Sequence, residues 1–240
     1  GIVTVGQSLV ILTGGIDLSN GAVITLVNVI AATILNGKDT LIVPVIFICI
    51  TVGALVGLAN GFLVTRLKVP AFISTLGMFS VLRGVAYIYT GGAPKGNVSP
   101  FLRFLGSGHI GQIPTAVVIW IVITIIALVI VHGTPFGRKI YAVGGNAVAS
   151  RLSGVPVNRI LMAVYVISGL LAAVSGLILG GYIGTGSLSL GDDYNMNSVA
   201  ASVIGGIAFT GGDGSLVGST GGALFLAIVF SLLRFLGLEY

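Results

Sequence analysis

Three long stretches of this chain, residues 40–65, 104–137 and 160–191, contain no Asp, Glu, Lys or Arg. Each exceeds the ~20 apolar residues that cross a ~30 Å hydrocarbon layer as a helix. Two shorter charge-free stretches, 18–37 and 214–233, are long enough for one span each. A chain of 240 residues cannot bury that many all-round apolar helices in itself, so they face lipid. Composition agrees: 7% of residues are charged, where a soluble domain carries about a quarter. The expected fold is all-α, a polytopic membrane helical bundle forming a single transmembrane domain over residues 1–240. Helices are expected at 1–13, 19–36, 41–64, 70–91, 113–132, 160–181, 197–210 and 215–236, the seventh too short to cross alone.

The 38 glycines fit a bilayer better than water, because small residues let membrane helices approach closely. Gly53, Gly57 and Gly61 share one helix face, and Gly218 and Gly222 repeat the four-residue spacing. Tight packing within one subunit is the expected role. Glycines also break helices. Residues 14–21 (Gly-Gly-Ile-Asp-Leu-Ser-Asn-Gly) and 211–218 (Gly-Gly-Asp-Gly-Ser-Leu-Val-Gly) each lead into an apolar helix. That echo reads as a possible internal repeat with broken or re-entrant helices, a pattern that points to a translocation path. The single cysteine, Cys49, and two distant histidines, His109 and His132, exclude a disulfide and offer no metal cluster.

The net charge of +5 comes from basic residues at span ends, which is a topology signal and not a nucleic-acid footprint. Arg66 and Lys68 lie in one short loop; Arg138, Lys139, Arg151 and Arg159 lie in the loop 133–159. Two spans separate these loops, which puts both on the cytoplasmic side. Lys38, Asp39, Lys95, Arg103, Asp192 and Asp193 are then expected outside. By the same count the chain ends outside, near Glu239 and Tyr240, so a final span is expected to be missing. The stretch from Ile2 to Leu12 does not read as a targeting sequence.

The loop 133–159 holds a pattern that a plain connector does not need. Gly144 and Gly145 are expected to break any helix arriving from Arg138. Asn146 can cap a short helix over 147–153 that stops at Gly154 before Pro156. A capped helix between two spans on the cytoplasmic face suits docking of another protein. Together with Thr13-Gly14-Gly15-Ile16-Asp17-Leu18-Ser19, residues 59–78 (Ala59-Asn60-Gly61-Phe62 through Leu76-Gly77-Met78), Ser202-Val203-Ile204-Gly205-Gly206 and Gly211-Gly212-Asp213-Gly214-Ser215, this loop resembles the sugar-type permeases of bacterial ABC importers, above all the ribose, xylose and galactose group.

The resemblance implies a multi-pass subunit of the bacterial cytoplasmic (inner) membrane that works with a cytoplasmic ABC ATPase, an extracytoplasmic solute-binding protein and a second permease copy. It implies that residues 145–154 couple to the ATPase, with Gly144, Gly145, Asn146, Arg151, Ser153 and Gly154 as the contact set. The chain itself has no Gly-x-x-x-x-Gly-Lys-Ser/Thr loop, so it does not itself hydrolyse ATP; no cofactor is expected on this chain, and ATP and Mg are expected on the partner subunit. It also has no paired catalytic carboxylates and no nucleophile–base–acid set, which argues against an enzyme. The binding protein is expected to dock on the outer loops 92–112 and 182–196.

Polar residues inside spans are costly and usually have a partner or a task. Asp17, Ser19, Asn20, Asn60, Phe72, Phe79 and Arg83 are the candidates for the translocation path. Capping is the competing role for Asp17 and for Asp213, interhelical hydrogen bonding for Asn28 and Asn60, and an ion pair or snorkelling for Arg83. An ion-coupled secondary transporter or channel would also use broken helices and Asp17, but gives the capped helix no work. An ABC permease for branched-chain amino acids would share the architecture and differ in solute.

Overall fold

A computed structural model describes residues 1–237, so the expected chain end near Glu239 and Tyr240 lies outside the described residues. The described residues form eleven helices: α1 Ile2–Leu12, α2 Asn20–Leu35, α3 Ile42–Thr65, α4 Ala71–Thr90, α5 Pro100–Ser107, α6 Thr115–Gly133, α7 Pro135–Gly145, α8 Ala147–Leu152, α9 Val157–Ile183, α10 Tyr194–Ile204 and α11 Leu216–Phe235. Two-residue strands β1 (His109–Ile110) and β2 (Ile113–Pro114) close a small hairpin ahead of α6. Five helices, α3, α4, α6, α9 and α11, are long and apolar enough to cross a membrane. The fold is an all-α polytopic bundle.

α9 and α2 form its centre. α9 packs on α1, α2, α3 and α5, and most of α2 is buried. Glycine allows the closest of these contacts. Gly53 and Gly57 set the backbone of α3 directly against Gly169 and Tyr165 of α9, and Gly61 meets Met162. A side chain at Gly53 or Gly57 would collide with the carbonyl oxygens of Gly169 or Tyr165. Gly218 and Gly222 do the same for α11 against Gly205 and Ala201 of α10. Both glycine stripes therefore serve packing inside one chain. Cys49 is buried at the α3–α2 contact, its Sγ 3.7 Å from the Val27 carbonyl.

Two broken segments meet near the basic end of the bundle. The chain turns at 13–19 between α1 and α2, and at 205–215 between α10 and α11. Gly211 packs on the backbone of Thr13 and Gly14, and the Gly212 N–H donates to the Leu12 carbonyl at 2.8 Å. The two members of the sequence echo are thus in direct contact. The expected helix 197–210 instead runs from Tyr194 and stops at Ile204, because Gly206 takes a left-handed φ of +88° and turns the chain. α11 is capped by Ser215, whose Oγ accepts from Val217 N at 3.2 Å, and not by Asp213.

The loop 182–196 departs from expectation. From Gly184 the chain descends alongside α2 instead of staying outside. Gly186 packs on Ala32, the Asn28 amide meets the main chain of Thr185 and Ser187, the Gly191 N–H donates to Thr25 Oγ1 at 3.0 Å, and Asn195 accepts from Gly21 N at 2.6 Å. From Ala32 to Gly21 is about 16 Å along a helix, so Asp192 and Asp193 sit well inside the bundle's length. The outer-side placement of these two acids is therefore corrected. A local reading misses the descent because a polar, Gly- and Asp-bearing stretch looks like an extramembrane loop. Contacts distant in sequence reveal it, the close approach of Gly191 to Gly21 among them.

Candidate functional site

Four of the seven expected path residues converge. The break after α1 turns Asp17 into the core, where its carboxylate accepts from Ser19 N at 3.0 Å, Ser19 Oγ at 2.6 Å and Ser168 Oγ at 3.0 Å. Ser168 comes from α9 and also lies 3.1 Å from Asn20 Oδ1. Asn60 of α3 donates its amide to Ser19 Oγ at 2.8 Å, while its own Oδ1 has no partner. The Gln7 amide of α1 reaches the Asn20 side chain at 3.0 Å and the Asp17 main chain. Asp17, Ser19, Asn20, Asn60, Gln7 and Ser168 are all buried. Asp17 thus ties α1, α2, α3 and α9 together through hydroxyls and amides, so its buried oxygens are hydrogen-bonded. Asp17 precedes α2, whose N-cap is Ser19, and accepts from Ser19 N in the turn before it; it also holds the centre together.

Gln7 and Ser168 were not singled out by the sequence reading. A polar side chain in each of two apolar helices was the available signal.

Arg83 is placed apart from this cluster. It pairs with Asp192 at 3.1 Å, and its guanidinium lies 5.7 Å from the centroid of the Phe79 ring one turn earlier on α4. Phe72 is exposed on the outer surface of the same helix, close to neither group.

The coupling candidates form a separate feature. Thr134 caps α7, accepting from Gly137 N, and Pro135 sits at its first position. α7 continues through Gly144 and Gly145 and ends only at Asn146, so the glycines do not interrupt it as expected. Asn146 Oδ1 then accepts from Ala149 N at 2.9 Å and starts α8, which ends at Leu152; Gly154, at φ +80°, turns the chain toward α9. The capped helix is where the residue pattern puts it. It presents Val148 (68% exposed), Arg151 and Leu152 (86% exposed), an apolar pair one turn apart beside a cation. Ser153 and Gly154 are also exposed.

Gly144 and Gly145 behave differently. Gly145 faces open space, whereas Gly144 packs on the Leu12 carbonyl and on the main chain of Gly212. α7 thus lies against both breaks at once. Nearby, Tyr141 donates to the Gly214 carbonyl at 3.0 Å, and burial together with the Asp213 carboxylate pushes its phenol above the usual tyrosine value.

Helices of this length and polarity, broken twice around a buried polar centre, define a polytopic membrane transport protein. The chain matches, over residues 1–240, the family described as branched-chain amino acid transport system / permease component, and it belongs to that family. It is similar to the ribose import permease protein RbsC of Escherichia coli (strain K12), 38% identical over 99% of this chain and 75% of that protein. The fructose import permease protein FrcC of Rhizobium meliloti is 40% identical over 100% of this chain and 69% of that protein. The galactose/methyl galactoside import permease protein MglC of Escherichia coli (strain K12) is 33% identical over 99% and 76%. No solved structure matches the chain. The protein is a multi-pass permease component of the inner membrane.

Proposed function

We propose that this permease imports a monosaccharide or similar polar metabolite by alternating access, driven by a separate cytoplasmic ABC ATPase seated on α8. The observation that carries the reading is the α8 knob. A six-residue helix with its own cap, exposing Val148 and Leu152 beside Arg151 at the basic end of the bundle, is shaped to fill a groove on another protein. ATP-driven closure of the partner would push α8, and α7 would carry the displacement to the breaks at 13–19 and 205–215. A second permease copy completes the path, and an extracytoplasmic binding protein supplies the solute from the outer side. Three sugar-importing relatives favour a sugar over the branched-chain amino acids in the family's description.

The test is co-purification in detergent with the ABC ATPase encoded beside the gene. Retention of the ATPase by the unmutated permease, and its loss with Leu152→Asp or Arg151→Glu, supports the reading. Uptake that follows an ion gradient with no ATPase bound would replace it with an ion-coupled carrier.

A further inference from the structure

The Arg83–Asp192 ion pair is unusual in where it is open. Arg83 lies seven residues before the end of α4 at Thr90, about 10 Å below that end and about 18 Å above Ala71. It is therefore within the hydrocarbon depth. Yet the two side chains are 39% and 34% exposed. A charged pair at that depth does not face lipid tails, because even one such residue costs at least ~2.5 kcal/mol in insertion scales. The surroundings agree. Ser80, Gly84 and Tyr87 flank Arg83 on the exposed face of α4, and nothing lies within 4 Å of a Cβ built at Gly84. Val81, Val85 and Ile88, also exposed, lie on the neighbouring strip further round the helix. At the depth of Arg83, α4 thus presents a less apolar strip beside an apolar one; exposed Ile73 and Leu76 end the less apolar strip toward the start of the helix, and the ion pair marks it.

On that side the chain offers a cation with several donors, a carboxylate that accepts, and an aromatic ring directly beneath, since Phe79 supports the guanidinium. A neutral polyhydroxylated ring can use all three: hydroxyls bridge the Arg83 donors and the Asp192 oxygens, and apolar C–H faces lie on an aromatic surface. We propose that Arg83, Asp192 and Phe79 form a hydroxyl-binding station on the water-filled wall of the path, at mid-depth. The station deepens the sugar-import reading and rests on it. The descent of 184–193, which ends in turns at 188–193, is what brings Asp192 to Arg83, so the ion pair also tethers that segment to α4.

The experiment uses the assembled importer with its ATPase and binding protein in nanodiscs and proteoliposomes. A membrane-impermeant cationic thiosulfonate should modify Ser80→Cys and Gly84→Cys at least tenfold faster than Val81→Cys at similar depth; the native Cys49 is buried. D-ribose should slow the Ser80→Cys reaction in the otherwise unmutated protein and not beside Arg83→Gln. Arg83→Gln and Asp192→Asn should each lower maximal D-ribose uptake about tenfold with the ATPase still bound. The exchange Arg83→Asp with Asp192→Arg keeps an ion pair, so its failure to restore uptake supports the station. Full restoration would reduce the pair to a structural tie and overturn it. Equal labelling of Ser80→Cys and Val81→Cys would overturn the water-facing placement whatever the solute. Absence of ribose, fructose and galactose uptake in the unmutated importer would remove the sugar reading and the station together, while the labelling contrast would still report whether the stripe faces water.

Discussion

Gly144 of α7 lies against the carbonyl of Leu12, the last residue of α1, with no side chain between them, and its other neighbour is the main chain of Gly212. A side chain at the adjacent Gly145 would point into open space, although its backbone also borders Gly212. Two neighbouring glycines of the same coupling set are therefore expected to respond in opposite ways. Gly144→Ala places a methyl group into the Leu12 carbonyl and must move α7 off both breaks. Solute uptake is expected to fall at least tenfold while ATP hydrolysis by the bound partner continues. Gly145→Ala is expected to leave uptake within about twofold, as helix propensity there favours alanine. Parallel uptake and ATPase assays in proteoliposomes check the contrast; equal effects of the two changes would remove α7 as the transmitting element.

Asp17→Ala removes the acceptor of three hydrogen bonds and leaves the Ser19 N–H and hydroxyl donors facing a void, while Ser168 keeps only Asn20 Oδ1. A destabilisation of about 3 kcal/mol is expected. It is read as a lowered Tm in detergent, with Asp17→Asn losing less because its amide oxygen still accepts.

Gly57→Ala would drive a methyl group into the Tyr165 carbonyl where α3 crosses α9. Overpacking of a rigid contact costs about 2 kcal/mol. Gly77→Ala, on α4 with open space at its Cβ, is the matched control. The comparison of the two Tm values tests whether the stripe serves internal packing.

Tyr141→Phe deletes the hydrogen bond to the Gly214 carbonyl, about 1 kcal/mol. The folded-state phenol titrates above its unfolded value, so its stabilising contribution is complete below the unfolded pKa of about 10 and is lost as pH rises through the folded one. The Tm difference between the unmutated protein and Tyr141→Phe is therefore expected to stay constant through neutral pH and to shrink above about pH 10. A difference that varied between pH 6 and 8 would contradict this assignment.

Much of the bundle could be read from the residues, because runs without charge and glycine–proline stops act locally. The spans came within a few residues, and Asn146 with Gly154 bounded α8 correctly. α5 went unread, though Ser99 before Pro100 is a cap: its Oγ accepts from Leu102 N at 3.4 Å. What local pattern does not encode is depth. Asp192 beside Asp193 looks like a solvated loop, and only its partner on α4, 109 positions earlier, shows otherwise. The polar centre was half legible for the same reason. Asp17 and Asn60 stand out in apolar surroundings, whereas Ser168 gains its meaning from a carboxylate 151 residues away.

The stretch 184–193 and the eleven-residue α10 also bear on how such a chain enters a bilayer. An irregular segment satisfies its amides and carbonyls only through neighbouring elements, and a helix of that length reaches only about half-way through the hydrocarbon, so neither is stable in lipid alone. The segment needs the flank of α2, where Thr25 accepts from Gly191 N, and α10 needs α11 and α1, with Asn195 also held by Gly21 of α2. The long helices must therefore insert first and the descending segment settle onto them afterwards. The polar wall of the permease is then the last part of the molecule to assemble, and defects in membrane biogenesis should leave a chain that is inserted yet unable to transport.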